Sequence, residues 1–224
     1  MIDLSKSYEY FKPELVKDQV HIVGCGSIGS TVAESMCRMG IKNFVLWDFD
    51  VVNPHNLANQ LFRSKDIGKL KVEALLDILK DIDPEIESSV ELRPEGWHGE
   101  TMNGYIILAV DSVDIRKQIV NLHMGSPFVK AIFDYRTDLE SAQHYAADWR
   151  IMKQRKNLLN SMNFTDEEAN AEVQVSACGY VLGVNPTIRM IVAVGVANFV
   201  NFINGKGLKL FAQADPFNGI CVAS

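Results

Sequence analysis

The residues best placed to do chemistry begin with a glycine-rich loop near the N-terminus. Residues 24–29 read Gly-Cys-Gly-Ser-Ile-Gly and follow an apolar run, residues 20–24, that predicts a buried strand. Residues 27–39 predict a helix. Glycines permit a tight turn and a close approach of phosphate, and the free N–H groups of a helix N-terminus attract anions. The pattern predicts a phosphate site, although a tight turn that binds nothing would look the same. The candidate residues are Gly24, Gly26, Ser27 and Gly29.

A carboxylate follows the second predicted strand, residues 44–47. Asp48 lies 19 residues beyond Gly29, at the carboxyl end of that strand. A carboxylate at this place accepts hydrogen bonds from the ribose hydroxyls of a bound nucleotide. The same contact serves NAD and ATP, so Asp48 predicts a nucleotide without distinguishing the two. Its simpler interpretation is a cap at the end of a strand.

The segments that follow carry a family resemblance. Residues 48–63 read DFDVVNPHNLANQLFR, residues 66–74 read DIGKLKVEA, and residues 109–116 read AVDSVDIR. They resemble the ThiF/MoeB/ubiquitin-activating-enzyme superfamily, in which an aspartate pair precedes N-L-x-R-Q and D-I-G-x-x-K-A segments, and T-D-N…R follows a central strand. The resemblance covers residues 20–133.

The resemblance implies an ATP-dependent adenylyltransferase that joins a carboxylate to the α-phosphorus of ATP and releases pyrophosphate. The carboxylate would be the C-terminus of a ubiquitin-like or sulfur-carrier protein. The glycine loop would hold the phosphates and the pair Asp48 and Asp50 would face the nucleotide. Asn56, Asn59 and Gln60 would lie over the nucleotide, Lys71 would contact phosphate oxygens, and Asp111 would hold Mg²⁺, for which hard oxygen ligands are suited. Lys71 and Asp111 have simpler interpretations, as a solvated lysine and as a helix cap.

Two features depart from the family pattern. The arginine of N-L-x-R-Q is replaced by Asn59, which brings no charge to the phosphates, and Arg63 is a candidate substitute. The two CxxC pairs of the family are absent, and the histidines show no metal-ligand spacing, so we expect no structural zinc.

Cys178 is a candidate nucleophile. It lies in the polar stretch before the last predicted helix, where the family often has a thiol or a metal ligand. A thiol there would receive the activated acyl group as a thioester. The alternative, which we favour, is a small buried residue, because the sequence shows no base paired with it.

The composition of the chain narrows the possible partners and the cellular location. The net charge of −6 disfavours a nucleic-acid partner, because phosphate binding needs a basic face. The N-terminus lacks the apolar stretch of a signal peptide, and the most apolar run, residues 190–200, is too short to span a bilayer. The four cysteines show no disulfide-framework spacing. We therefore expect a cytoplasmic protein that does not bind membranes.

Strand-like and helix-like segments alternate from residue 20 to residue 133. This alternation predicts a Rossmann-like, doubly wound α/β fold: a mainly parallel sheet with helices on both faces. We expect one domain, residues 1–224, with an N-terminal arm over 1–17, an irregular crossover segment over 134–185 and a closing antiparallel hairpin over 208–223. The apolar helix predicted between Asn185 and Gly205 would be core or the interface of a homodimer.

Two other functions remain open. A nucleotide-binding module without catalytic activity is compatible with Asn59 in place of the family arginine. An NAD(P)-dependent oxidoreductase is compatible with the glycine loop, but residues 56–60 and Lys71 argue against it.

Overall fold

The computed structural model describes residues 2–172, 174–175 and 182–224. Eight strands form one sheet in the order β3-β2-β1-β4-β5-β6-β7-β8. The strands are β1 Val20–Val23, β2 Phe44–Trp47, β3 Val90–Arg93, β4 Gly104–Leu108, β5 Val129–Thr137, β6 Ala142–Asp148, β7 Phe211–Asp215 and β8 Ile220–Ala223. The helices are α1 Ser27–Arg38, α2 Lys71–Ile82, α3 Val113–His123, α4 Met152–Asn160, α5 Asp166–Glu172 and α6 Asn185–Ile203.

The first five strands of the chain are parallel. β1 pairs with both β2 and β4, and β6, β7 and β8 add to the far edge in antiparallel orientation. All residues of β1, β2 and β4 are buried, as their unbroken apolar sequences predict for strands covered on both faces. The strand order reverses at β1, so a crevice opens between the carboxyl ends of β1 and β4.

Helices cover both faces of the sheet. α1, α2 and α6 pack on a core that includes Ile22 and Phe133. α3 and α4 pack on a second core that includes Ile106 and Trp149. These layers confirm the predicted doubly wound α/β fold, and β7 and β8 confirm the closing hairpin.

Helix α6 is the only helix in the described parts of the chain with the length and apolar composition to cross a membrane. It has 19 residues and a mean hydropathy of 1.5. Half of that stretch is buried inside the fold, where Ile191 and Phe199 are inaccessible to solvent. These contacts are those of a core helix.

The described part of the segment over 134–185, which we expected to be an irregular crossover, contains β6, α4 and α5. β5 continues to Thr137 and forms seven antiparallel pairs with β6, whose Ala142, His144 and Ala146 alternate into the core. α2 begins at Lys71. Gly68 takes a φ of +88°, which helical residues do not adopt, so the preceding residues form a turn.

Two buried histidines, His21 and His144, are held in the neutral form. His21 accepts a hydrogen bond at Nδ1 from Trp47 Nε1 at 3.2 Å, and burial, with the nearby His123 and Arg93, lowers its pKa to about 4. His144 packs against Phe133, and burial lowers its pKa to about 4. A histidine whose pKa is lower in the folded state than in the unfolded chain stabilises the fold above its unfolded pKa, and the stabilisation is lost as the pH falls.

We therefore expect the free energy of unfolding to fall between pH 7.5 and pH 5 by about 2 kcal/mol for each of these histidines. Urea unfolding of the wild type and His21→Gln at both pH values measures the contribution of His21, since glutamine keeps an acceptor for Trp47. The exposed His98 provides the control variant His98→Gln. A pH dependence that is the same in His21→Gln and the wild type would refute the assignment.

Candidate functional site

A cavity of ≈ 810 Å³ opens at the carboxyl ends of β1, β2 and β4. We call it the carboxyl-end cavity. It lies in the crevice where strand order reverses, which is the usual ligand site of open α/β sheets. Nine of the predicted site residues line it: Gly24, Gly26, Ser27, Asp48, Asp50, Asn56, Asn59, Gln60 and Lys71. The predicted metal ligand, Asp111, lines it as well.

The glycine loop is shaped by two close approaches. Gly24 has a φ of +92°, and a Cβ on it would lie 2.7 Å from the backbone carbonyl of Ala109. A Cβ on Gly29 would lie 1.8 Å from the carbonyl oxygen of Gly24. At Gly26, by contrast, the nearest described atom to a Cβ is Gln60 Nε2 at 4.0 Å. Gly24 and Gly29 therefore fix the turn, while Gly26 faces the cavity at the start of α1.

Asp48 connects this loop to the end of β2. Its Oδ2 accepts a hydrogen bond from the Cys25 N–H at 2.7 Å, and its Oδ1 accepts one from the Asp50 N–H at 2.8 Å. Burial raises the pKa of Asp48, while Lys71 and the two N–H groups act in the opposite direction. The sequence pattern predicted a ribose contact for Asp48. It did not reveal this second role, in which the carboxylate holds the loop in place.

Lys71 and Lys69 have different partners in the structure. Lys71 is buried at the first position of α2, and its Nζ lies 2.6 Å from Asp50 Oδ2 in the cavity. Its backbone N–H also donates to the Asp50 carbonyl, at 2.9 Å. Lys69 pairs instead with Asp77 at 2.7 Å. Lys71 is thus the lysine that lines the cavity together with the glycine loop, and its positive charge is balanced by the Asp50 carboxylate.

The amide side chains of residues 56–60 organise the wall beside the loop. Asn56 is buried and its Oδ1 accepts from the Asn53 N–H at 2.8 Å, which closes the short 3-10 helix Pro54–Ala58. Gln60 Oε1 is buried at the cavity and accepts no hydrogen bond within the described residues. Asn59 Nδ2 donates to the Gly183 carbonyl at 3.2 Å. At the position of the family arginine, this chain therefore makes a contact with the segment before α6.

Asp111 follows β4 and is exposed at the cavity. Arg116, one α3 turn further on, lines the same wall but is buried. It pairs with Asp134, which Arg136 also contacts, and donates to the Tyr135 carbonyl at 2.8 Å. The Arg116 guanidinium is therefore bound to groups of the cavity wall, whereas the Asp111 carboxylate faces solvent.

Two predicted catalytic residues are not placed in the cavity. In the described structure Arg63 lies outside it and pairs with Asp66, at 2.8 Å, and with Asp81. Arg63 therefore does not substitute here for the family arginine, because the nearby carboxylates engage its guanidinium. Cys178 lies outside the described residues. The other loop thiol, Cys25, is buried, and burial raises its pKa well above that of a free thiol, so it is not a nucleophile.

Sequence reasoning missed the aromatic side of the cavity. Phe49, between the two aspartates, is 67% exposed, and the indole of Trp97 is nearly buried beside it. Gly96 has a φ of +78°, and a Cβ there would lie 2.9 Å from the Phe49 ring. The sequence Asp-Phe-Asp could have predicted this aromatic side. A phenylalanine between two carboxylates at the end of a strand is not expected to be buried in the core, so it is a candidate for ligand contact.

A protein-family model described as the ThiF family matches residues 9–219. Among curated proteins, the chain is 36% identical over 78 residues to ubiquitin-like modifier-activating enzyme 5 of Caenorhabditis briggsae, covering 34% of this chain and 18% of that protein. It is 34% identical over 110 residues to tRNA threonylcarbamoyladenosine dehydratase of Haemophilus influenzae, covering 46% of this chain and 42% of that protein. The chain thus matches less than half the length of these relatives.

Two solved structures share the fold. E. coli MccB, in a structure with ATP, superposes with a TM-score of 0.70 at 16% identity, covering 95% of this chain and 65% of that one. PaaA superposes with a TM-score of 0.67 at 18% identity, with the same coverage. At these identities the likeness concerns the fold alone.

Gly29 is closely packed and Gly26 is not, so we expect different effects from an alanine at each position. Gly29→Ala places a methyl group on the Gly24 carbonyl, so we expect a loss of about 3 kcal/mol of stability and a melting temperature about 10 °C lower. Gly26→Ala meets free space, so its melting temperature should stay close to that of the wild type while nucleotide binding weakens. Thermal unfolding with and without ATP measures both effects. A Gly29→Ala protein as stable as Gly26→Ala would contradict the packing described here.

Proposed function

Because the chain belongs to the ThiF family, we propose that it is an ATP-dependent adenylyltransferase that activates a carboxylate as an acyl-adenylate. One observation carries this proposal: the glycine loop, Asp48, Lys71 and Asp111, which are far apart in sequence, line a single cavity. The loop and the start of α1 supply N–H groups for phosphates, and Lys71 supplies the positive charge. The carboxylate oxygen attacks the α-phosphorus, its bond to phosphorus forms, and pyrophosphate leaves with the electron pair of the broken P–O bond.

The charges in the cavity favour a divalent cation with the nucleotide. Four aspartates line it, and only two cationic side chains, Lys71 and Arg116, do so within the described residues. Arg116 is paired with Asp134, and Lys71 with Asp50. The four aspartates are Asp48, Asp50, Asp111 and Asp138. A triphosphate entering this cavity would meet repulsion unless another positive charge came with it.

The donor set fits Mg²⁺. The described residues contain no cluster of three or more histidine, cysteine or acidic side chains that would hold a metal by themselves. Mg²⁺ is commonly bound by one or two carboxylates together with phosphate oxygens and water, so such a cluster is not required. Asp111 and Asp50 would hold the ion, and its charge would neutralise the phosphates as the acyl-adenylate forms.

The two ends of the cavity suit the two substrates. Phe49 follows Asp48 directly and is 67% exposed, so its ring offers aromatic surface to a nucleobase whose ribose is held by that carboxylate. The cavity also reaches Thr137, the last residue of β5, and residues 182–183. We assign this end to the carboxylate substrate, the C-terminus of a ubiquitin-like or sulfur-carrier protein.

Assembly and location form part of the same proposal. α6 buries one side in the core and leaves Ala193 and Ala197 exposed on the other, a surface suited to close helix packing. On this basis we propose a homodimer. We also propose that it acts in the cytoplasm, because its cysteines show no disulfide-framework spacing. A nucleotide-binding module without catalysis is the second candidate, favoured by the use of Asn59 to bind Gly183 instead of a phosphate.

The experiment that tests the proposal is ATP–pyrophosphate exchange with Mg²⁺ and a panel of carboxylates that includes C-terminal peptides of ubiquitin-like carriers. We expect exchange, and we expect Lys71→Ala to lower its rate about 100-fold, because a buried positive charge at the phosphates is lost. Lys69→Ala removes the same charge outside the cavity and should keep the rate within about twofold.

Equal rates in the two lysine variants would exclude Lys71 from the site. ATP binding without exchange across the panel would favour the non-catalytic module. A rise in melting temperature with NAD but not with ATP would instead support the oxidoreductase.

Asp111→Asn removes the proposed metal ligand with little change in size. We expect ATP binding in the presence of Mg²⁺ to weaken at least about tenfold, while binding in EDTA changes little. The control is Asp114→Asn, since Asp114 is exposed in the first turn of α3 and its nearest cation is Lys117 at 3.8 Å. Calorimetric titration of each variant with ATP measures the difference. Unchanged Mg²⁺-dependent binding in Asp111→Asn would remove Asp111 from the metal site.

A further inference from the structure

The turn that presents Asp111 is held by a residue more than fifty positions later in the chain. The Asp166 carboxylate accepts hydrogen bonds from the Val113 N–H and, at 2.8 Å, from the Ser112 hydroxyl. Ser112 Oγ in turn accepts from the Ile115 N–H at 3.2 Å. Together these contacts satisfy N–H groups of the first turn of α3 that would otherwise lack partners. The negative charge is also favourable at that end of the helix.

Asp166 is itself firmly positioned. It is the first residue of α5, which a capping box opens: Thr165 N–H donates to Glu168 at 2.8 Å, and the Glu168 N–H donates to the Thr165 hydroxyl at 3.1 Å. The preceding carbonyl, of Phe164, accepts from Lys117 on α3. The start of α5 is therefore docked on α3 through Asp166 and through the Phe164 carbonyl that precedes it.

A second tether joins the same region to the sheet. Arg136, at the end of β5, donates to the Ser161 carbonyl at 2.7 Å and to the Ser161 hydroxyl at 2.8 Å. The same guanidinium pairs with Asp134, the carboxylate that also holds Arg116 in the cavity wall. The chain from residue 161 to residue 168 is thus bound to the two elements, β5 and α3, that border the cavity.

We propose that Asp166 is a positioning residue for the nucleotide site, acting through the cap that it places on α3. Asp111 directly precedes Ser112, and on its other side the Ala109 N–H is held by the Val23 carbonyl at 2.8 Å. The backbone around Asp111 is therefore fixed from the sheet by β1 and from the helix by Asp166. An exposed carboxylate binds a cation well only if its backbone does not move, so the cap sets the affinity of the site for Mg²⁺.

This inference rests on the proposed function, because it takes Asp111 as the metal ligand. Its consequence is a link between α5 and the nucleotide. α5 leads into the segment that returns to the cavity at Leu182 and Gly183. Binding of Mg²⁺ and ATP at Asp111 should therefore favour the docked position of α5, and docking of α5 should favour binding, because thermodynamic coupling is reciprocal.

The test compares Asp166→Asn with Glu167→Gln. Each variant removes one negative charge from the first turn of α5 and keeps the side-chain size, but Glu167 is an exposed neighbour outside the cap. We expect Asp166→Asn to raise the Mg²⁺ concentration for half-maximal ATP binding about five- to tenfold. ATP binding in EDTA should stay within about twofold, and Glu167→Gln should match the wild type in both measurements.

Melting temperatures of the variants separate positioning from stability alone. A lower melting temperature in Asp166→Asn with an unchanged Mg²⁺ requirement would show a purely structural cap and overturn the inference. If Asp166→Asn does not fold, Ser112→Ala serves instead, because it removes one of the two contacts. We then expect an increase of about two- to fourfold in the Mg²⁺ requirement, and no increase would overturn the inference.

Asp111→Asn, measured alongside, distinguishes the two levels of proposal. Loss of Mg²⁺-dependent binding in Asp111→Asn but not in Asp166→Asn would overturn the positioning role and leave the proposed metal site standing. A wild-type protein that binds no ATP in the presence of Mg²⁺ would overturn both.

Discussion

The site depends on a steric constraint where β1 passes into α1. The first turn of α1 lies against the Gly24 carbonyl so closely that a Cβ on Gly29 would lie 1.8 Å from that oxygen. This approach brings the start of the helix directly over the end of the strand, at the point where strand order reverses. A larger residue would separate helix and strand, and the loop would no longer present its N–H groups to the crevice. The position of every other site residue is defined relative to this turn.

Around that turn, charges are held in compensated pairs. Lys71 is buried against Asp50, Arg116 is buried against Asp134, and Asp48 is satisfied by two backbone N–H groups. A buried charge without a partner would be costly, so these pairs stabilise the cavity wall. A phosphate that takes over Lys71 would release Asp50, and a cation would then have two free carboxylates available. In the proposed function, the Lys71–Asp50 pair would therefore couple the binding of an anion to the binding of a cation.

Local patterns in the sequence were sufficient for most of the fold. Apolar runs located β1, β2 and β4, and the glycine loop, Asp48 and Lys71 were found from spacing and family resemblance. The elements after Asp134 were predicted only loosely, because the sequence of β6 mixes alanine with polar and aromatic residues, and the burial of these residues depends on β5 and β7 beside it. The expectation that Arg63 would take the place of the family arginine was not met for a related reason. Its charge is taken by Asp66 and Asp81, and a sequence pattern does not show which of several nearby carboxylates an arginine will meet.

Two long-range hydrogen bonds between a side chain and the backbone join parts of the chain that are distant in sequence. Asn59 reaches the Gly183 carbonyl, and Asp166 reaches the Val113 N–H. The first joins the cavity wall to the residues just before α6, and the second joins the start of α5 to the start of α3. The Leu182 N–H also donates to the Gln174 carbonyl at 2.8 Å. An arginine at position 59 would bring charge to the phosphates but would lose the short amide donor that holds Gly183. Asn59 therefore brings no charge to the position of the family arginine and instead holds the Gly183 carbonyl before α6.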